Sequence, residues 1–168
     1  MIEDVLTQAE LKRLLRYDPA TGMFTWRVSL SNRAPAGFVV GLGRPPSQYI
    51  AICIRGHQYL AHRLAWLYMR GRWPAEDIDH KNTNRSDNRW ENLREATRQQ
   101  NIQNANRRSN NTSGVKGVSW DPRIRKWATK IKANGRNIRI GSYESREDAA
   151  RAYAAAADRY FGDFARAA

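Results

Sequence analysis

The sequence predicts an α+β protein that ends in a small three-stranded antiparallel sheet packed on one helix. Three pieces after residue 113, GVSW, WATKIK and NIRIGSY, are rich in the β-branched and aromatic residues that strands favour. Between the last two pieces, Asn134-Gly135 is a strong signal for a two-residue hairpin turn. The alanine-rich stretch that follows repeats apolar residues at helical spacing.

Alternation along these strands predicts one apolar face and one basic face. The apolar face is predicted to carry Trp127, Thr129, Ile131, Ile138 and Ile140. The opposite face is predicted to carry Lys126, Ala128, Lys130, Lys132, Asn137 and Arg139. Like charges stacked on one sheet face repel each other, so we expect a polyanion to bind there. A solvated basic face is the alternative.

Residues 145–162 predict the helix that covers the apolar face. Ser145 is a suitable N-cap, and Glu147 and Asp148 in the first turn interact favourably with the helix dipole. The residues that recur at three and four positions are Ala149, Ala152, Tyr153, Ala156, Tyr160 and Phe161.

The composition of the 168 residues indicates a folded protein with a polyanionic partner. There are 29 Lys and Arg against 16 Asp and Glu, a formal net charge of +13, while 41% of residues are hydrophobic. Nucleic acid is favoured over an anionic membrane surface or a simple solubility effect. No run of about 18 apolar residues occurs, so we expect a cytoplasmic protein without a spanning helix. The single cysteine, Cys53, excludes disulfides and zinc sites with several thiolates.

Two features of the central region have catalytic potential. Asp79-His80 precedes the turn-rich tract KNTNRSDN, and His62-Arg63 opens an apolar run that is predicted to be helical. Hydrolysis of a phosphodiester bond needs a base that activates water and a divalent cation that stabilises charge. Asp79 and His80 are the residue types for these two tasks. A hydrogen-bonded surface pair is the alternative interpretation of this dipeptide.

The C-terminal pieces resemble the DNA-binding domain of the Apetala/ethylene-response-factor family. GVKGVSW, KWATKIK, NGRNIRIGSY and EDAARAYAAAADRYFGDFARAA follow the family order over about residues 112–168. This form of the domain is fused to phage and bacterial endonucleases. The resemblance implies that the strand face docks in the major groove of double-stranded DNA. The matching contact positions are Lys116, Ser119, Lys130, Lys132, Asn137 and Arg139.

The central pieces resemble the HNH endonuclease family, in its phage and intron-encoded homing type with a ββα-metal site. AHRLAW, IDHKN, NRWENLREAT and QQN occur in the family order over about residues 60–105. The resemblance implies one divalent metal ion, Mg²⁺ or Mn²⁺, and the lone cysteine predicts no structural zinc. It implies that Asp79 and Asn101 are metal ligands, that His80 is the general base, and that Asn92 braces the catalytic loop.

Four further residues have roles that the sequence leaves open. His62 is a possible accessory residue, either structural or facing a phosphate. The other three, Arg63, Arg94 and Arg98, are candidates for phosphate contacts or for a solvated face.

The N-terminal 60 residues predict an α+β extension with no derivable activity of its own. Thr7 to Arg16 predicts a short capped helix, and TGMFTWRV and QYIAICIRG predict strands. We expect Cys53 in the core and His57 exposed. The expected divisions of the chain are therefore 1–60 for the extension, 61–108 for the nuclease core, 109–113 for a linker and 114–168 for the DNA-binding domain.

Together these patterns predict a metal-dependent DNA endonuclease whose C-terminal sheet selects the site. The alternative is a non-catalytic, sequence-specific DNA-binding regulator with a remnant HNH region. RNA binding is disfavoured because stacking aromatic residues are sparse on the basic face. We expect double-stranded DNA as the partner, no membrane partner, and a monomer.

Overall fold

The computed structural model describes residues 6–40, 48–104, 111–133 and 135–165. It divides into two compact units, Met1–Arg98 and Gln99–Ala168, and its mixture of helices and sheets confirms the predicted α+β class. Asn134 and part of the predicted linker lie outside the described residues. Among the described residues, no helix is long and apolar enough to cross a membrane.

The first unit combines two helices with three antiparallel sheets in its described part. Strands β1, β2 and β3 form one sheet in that order, β4 pairs with β5, and β6 pairs with β7. The elements are α1 (Gln8–Leu14), β1 (Leu15–Asp18), β2 (Met23–Trp26), β3 (Val39–Val40), β4 (Ala51–Ile54), β5 (His57–Leu60), α2 (Ala61–Arg70), β6 (Asp77–His80), a 3-10 turn (Trp90–Asn92) and β7 (Leu93–Ala96).

One hydrophobic core holds the first unit together. The N-terminal segment contributes Leu11, Leu14 and Phe24, which are at most 1% exposed. They belong to the same cluster as Leu64 of α2 and Leu93 of β7. The core therefore continues across residue 60, where we expected a boundary between two segments. The domain limits themselves stay predictions.

The prediction that Cys53 lies in the core is wrong. In β4 the side chains alternate, and Ile52 and Ile54 occupy the buried face at 2% exposure each. Cys53 therefore points outward and is exposed. His57, the first residue of β5, is exposed as expected.

The second unit contains the predicted three-stranded sheet and its helix. The strands are β8 (Val118–Asp121), β9 (Lys126–Ala133) and β10 (Arg136–Tyr143), paired antiparallel in the order β10-β9-β8. Helix α3 (Arg98–Asn104) starts directly after Thr97 with the last residue of the first unit, and α4 (Arg146–Phe161) follows β10. A 3-10 turn (Gly162–Phe164) ends the described elements.

Alternation assigned the two faces of this sheet correctly. Thr129 and Ile131 are buried, and they share their face with the half-buried Ile138 and Ile140. Ala149 and Tyr153 of α4 are buried with Ile131 in one core, as predicted. The exposed residues of the opposite face are Lys130, Lys132, Asn137 and Arg139.

Helix α4 follows its predicted start but not every predicted contact. The Ser145 hydroxyl accepts a hydrogen bond from the Asp148 amide at 3.0 Å, so the predicted N-cap is present. Tyr160 was expected on the buried face and is 43% exposed. In the last turn Phe161 packs against the core instead, and the Arg159 guanidinium lies over the Tyr160 ring.

Gly117 provides a test of how closely α4 packs on the sheet. It has a positive φ of 74°, and an added Cβ would lie 2.2 Å from Cε2 of Tyr153 and 2.5 Å from the Lys130 carbonyl oxygen. We expect Gly117→Ala to lower the free energy of unfolding of the second unit by about 2–4 kcal/mol, because strain and a steric clash combine.

Gly135→Ala is the matched control for Gly117→Ala. Gly135 has a similar φ of 75°, but no described atom lies within 4 Å of its added Cβ. We therefore expect only the strain of about 1 kcal/mol. Native-state hydrogen exchange of the backbone amides of β9 and β10 measures the free energy of unfolding of the second unit in both variants, and equal losses would contradict the packing argument.

Candidate functional site

The β6–β7 hairpin buries a carboxylate next to an imidazole. Asp79 pairs with Arg94 and His80 with Leu93 across the two strands. Asp79 and His80 are only 5% and 4% exposed. The Asp79 Oδ2 atom accepts hydrogen bonds from Nε of Arg94 at 2.9 Å and is 2.8 Å from a terminal guanidinium nitrogen. Arg94, a candidate for phosphate contacts, therefore neutralises the buried carboxylate in this structure.

Asn92 fastens the loop that joins the two strands. Its Oδ1 atom accepts a hydrogen bond from the Asn82 amide at 3.0 Å, and its Nδ2 atom donates to the Asp87 carbonyl at 2.7 Å. Its own carbonyl accepts from the Lys81 amide at 2.9 Å. One buried side chain thus holds both arms of the loop, as the expected bracing role requires. Its catalytic role stays a prediction.

Charged and polar contacts within the loop add to this rigidity. The Asp87 carboxylate accepts hydrogen bonds from the Arg89 guanidinium at 2.7 and 2.9 Å and from Nδ2 of Asn82 at 2.7 Å. The Arg89 guanidinium holds the pKa of Asp87 below its usual value. The loop is therefore fixed by side chains at both its start and its end.

His80 is held in a buried and neutral state. Its Nε2 atom lies 3.1 Å from Oδ1 of Asn88, which is itself 1% exposed. Burial lowers the pKa of His80, because the imidazolium loses solvation, although the contacts with Asn88 and Asp79 act in the opposite direction. A neutral imidazole is the form that accepts a proton.

A second buried histidine lies against the first. His62, in the first turn of α2, is 5% exposed, and its ring centroid is 5.1 Å from that of His80 in an edge-to-face arrangement. Burial, and secondarily the nearby His80, lowers the pKa of His62 to about 3. Its Nδ1 atom is buried without a hydrogen-bond partner among the described residues. His62 is thus a neutral neighbour of His80.

Tyr49 covers both histidines, and sequence reasoning missed it. Its ring centroid lies 5.1 Å from that of His62 and 6.0 Å from that of His80. The Arg85 guanidinium lies over the Tyr49 ring at 5.0 Å. In the sequence, Tyr49 belongs only to the strand-like piece QYIAICIRG, so no local pattern marks it.

Arg63 and Arg98 come together at one depression of the first unit. Arg63 lies on α2 and Arg98 is the first residue of α3, and both line the depression together with Glu76 and Asp77. The two predicted phosphate-contact arginines are thus neighbours. Their phosphate contacts stay a prediction.

Asn101 lies on α3 in the second unit and is half-buried. That Asn101 and Asp79 bind the same metal ion stays a prediction. Among the described residues, no group of three or more His, Cys, Asp or Glu side chains forms a metal cluster.

The exposed sheet face of the second unit brings together five of its six predicted contact residues. Lys130 pairs with Arg139 and Lys132 with Asn137 across β9 and β10. Ser119 on β8 joins Lys130, Asn137 and Arg139 in lining one depression. The sixth residue, Lys116, precedes β8 and is half-buried. Strand pairing thus builds one basic surface, which we call the basic sheet face, from Ser119, Lys130, Lys132, Asn137 and Arg139.

Comparisons with protein families give two matches along the chain. Residues 59–103 match the model described as HNH endonuclease, and residues 113–163 match the model described as AP2 domain. The residues that match the HNH endonuclease model thus precede those that match the AP2 domain model. Curated proteins and solved structures give no match. The HNH region contains Asp79, His80 and Asn92, and the AP2 region contains the basic sheet face. Both matches support a DNA-binding nuclease.

The pH dependence of stability tests the state of His62. Its folded pKa of about 3 lies below the ordinary value of 6.5, so below pH 6.5 the unfolded chain binds a proton that the folded chain does not. Stability is therefore full above pH 6.5 and falls as the pH decreases toward 3. We expect His62→Gln to make the dependence between pH 6.5 and 4.5 shallower, by at most about 1.4 kcal/mol per pH unit.

Urea unfolding across this pH range measures the effect. His57→Gln is the control, because it removes the same residue type from the exposed surface of β5. A wild-type slope in His62→Gln would show that His62 does not titrate in this way.

Proposed function

We propose that the protein is a metal-dependent DNA endonuclease of the homing HNH type, which hydrolyses phosphodiester bonds at a site that its AP2 region selects. The observation that carries this proposal is the buried Asp79-His80 pair at the end of β6. Asn92 fastens the loop that joins β6 to β7 directly after this pair. It lies within the residues that match the HNH endonuclease model. Buried and fixed polar groups of this kind suit catalysis, because they need no reorganisation during the reaction.

His80 has the properties of a general base. It is neutral because burial lowers its pKa, so it can accept the proton of a water molecule that attacks the phosphorus atom. The new bond joins the water oxygen to phosphorus, and the bond between phosphorus and one ester oxygen breaks. The leaving oxygen then takes up a proton from solvent. Tyr49 and His62 limit the access of bulk water to the His80 ring.

Asp79 and Asn101 are the proposed ligands of one divalent cation, Mg²⁺ or Mn²⁺. Carboxylate and amide oxygens are hard donors that suit these ions. When bound, the cation would stabilise negative charge on the phosphate and on the leaving oxygen. Arg94 already balances the Asp79 carboxylate, so the buried charge is tolerated without the metal. Arg63 and Arg98 line one depression, and they are the proposed contacts for a phosphate.

The basic sheet face is the proposed reader of double-stranded DNA. A β-sheet face of this width enters the major groove, where exposed lysine and arginine side chains reach phosphates and guanine edges. Ser119 and Asn137 add hydrogen-bonding groups, and Lys116 lies just before the sheet. One catalytic site in a monomeric chain cuts one strand at a time, so nicking is the expected primary reaction.

Substitution of the two buried residues tests the catalytic assignment. We expect His80→Ala and Asp79→Asn to reduce plasmid nicking in the presence of Mg²⁺ or Mn²⁺ by at least about 100-fold, because the base or the metal ligand is lost. DNA affinity should change less than about threefold. Exposed His57 and Glu91 provide the controls His57→Ala and Glu91→Gln.

Two outcomes would overturn the assignment. Undiminished cutting by both variants would place the active site elsewhere. Binding without any nicking by the wild-type protein would instead favour a DNA-binding regulator with an inactive HNH region.

Substitutions on the basic sheet face test the recognition role. We expect Lys130→Ala and Arg139→Ala each to weaken DNA binding about tenfold, and each to reduce the slope of log affinity against log salt by about 1 for a lost phosphate contact. Arg146→Ala, on α4 behind the sheet, is the control. Equal effects of all three substitutions would indicate non-specific attraction by the net charge.

A further inference from the structure

The β1–β2 hairpin contacts the segment that carries Asn88. The Tyr17 hydroxyl donates a buried hydrogen bond to the Asn88 carbonyl at 2.6 Å, across 71 residues of sequence. The Trp90 amide donates to the Pro19 carbonyl at 2.9 Å. Burial raises the pKa of Tyr17, so the hydroxyl remains a donor throughout the neutral and mildly alkaline range. Two hydrogen bonds thus attach residues 88–90 to the N-terminal hairpin.

Gly22 shows how closely the two backbones approach. It lies in the turn between β1 and β2 with φ at +74°, and an added Cβ would lie 2.4 Å from both the Asn88 carbonyl carbon and the Arg89 amide nitrogen. Such distances do not occur for real Cβ atoms, and both neighbours are backbone atoms. Only glycine therefore permits this contact.

Asn88, whose backbone the hairpin holds, contacts His80 through its side chain. Its Oδ1 atom lies 3.1 Å from His80 Nε2, and an amide oxygen can only accept. In a neutral ring, this contact requires the proton on Nε2 and leaves the lone pair on Nδ1. The Asn88 Nδ2 atom has no hydrogen-bond partner among the described residues, although the residue is 1% exposed. Burial of an amide nitrogen without a hydrogen-bond partner costs desolvation free energy. The side chain of Asn88 is buried despite this cost, and its oxygen contacts His80.

We propose that the β1–β2 hairpin positions the catalytic histidine, with Asn88 as the positioning residue that selects the Nε2–H tautomer of His80 and fixes its ring. Tyr17, Pro19 and Gly22 hold the Asn88 backbone in place for this purpose. The inference rests on the proposed function of His80 as the general base. It assigns the N-terminal segment a role in the HNH site. Such positioning affects the rate, because a misplacement of about 1 Å in a reacting group can slow a reaction about 100-fold.

The tautomer of His80 tests this directly in the wild-type protein. The chain has three histidines, so ¹⁵N-labelling of histidine gives three rings, which the variants His57→Gln and His62→Gln assign. The ¹⁵N shifts of a neutral ring distinguish Nε2–H from Nδ1–H. We expect the Nε2–H form for His80. The opposite amide orientation of Asn88 would select Nδ1–H, and observation of that form overturns the proposal.

Two variants at position 88 separate the hydrogen bond from packing. Asn88→Leu keeps the branching and the number of heavy atoms of the side chain but removes the acceptor, and we expect a loss of the Nε2–H preference and a fall in kcat of about tenfold or more. Asn88→Asp keeps an acceptor oxygen, and we expect it to retain the Nε2–H form and to cut faster than Asn88→Leu. DNA affinity should stay within about threefold of wild type in both. An unchanged tautomer and kcat in a folded Asn88→Leu protein would refute the role of Asn88.

Tyr17→Phe tests the role of the hairpin. It keeps the ring in the core and removes the hydroxyl donor, and we expect kcat to fall about tenfold with an unchanged KM. Tyr68→Phe is the matched control, because Tyr68 packs against the same core and its ring lies 5.7 Å from Tyr17. Equal kcat values for the two variants would show that the hairpin does not position His80.

These results are distinguishable from a failure of the proposed function. Cutting by His80→Ala would reject His80 as the base, whatever its tautomer. An inactive His80→Ala together with a normal tautomer in Asn88→Leu would reject only the positioning role.

Discussion

The burial of Asp79 and His80 is the constraint on which the arrangement of the first unit depends. A buried carboxylate or imidazole is costly unless a partner replaces the lost water. Arg94 provides that partner for Asp79, and Asn88 for His80. Asn92 then fixes the loop that connects the two strands. These hydrogen bonds fix the buried side chains of the hairpin and of the loop that joins its strands.

The two units use charge in opposite ways. In the HNH region the catalytic candidates are buried and paired, which preserves their orientation and their neutral or balanced state. In the AP2 region Lys130, Lys132 and Arg139 are exposed, where cations attract phosphates and release counterions. A bond-breaking site needs fixed groups away from bulk water, whereas a DNA-reading surface has to be accessible.

Local sequence patterns predicted those features that depend on residues close together in the chain. The faces of β9 and β10 follow from alternation, and the N-caps at Thr7 and Ser145 follow from residue type and spacing. Alternation states which residues share a face but not which face is buried, and that is why Cys53 was misplaced. The face with the two isoleucines of β4 is the buried one, because isoleucine side chains bury more apolar area than a cysteine does.

By itself, the sequence determined the sheet and the covering helix of the second unit, the basic sheet face, and the residues Asp79, His80 and Asn92 as candidates. Only the tertiary structure decided that His62 lies against His80, that Tyr49 covers both, and that Tyr17 supports Asn88. The physical reason is the sequence separation over which each kind of interaction acts. Hydrogen-bond ladders and caps act over a few residues, whereas the packing of one hydrophobic core joins side chains that are 71 positions apart. The surroundings of His80 thus come from the core, and no local pattern encodes them.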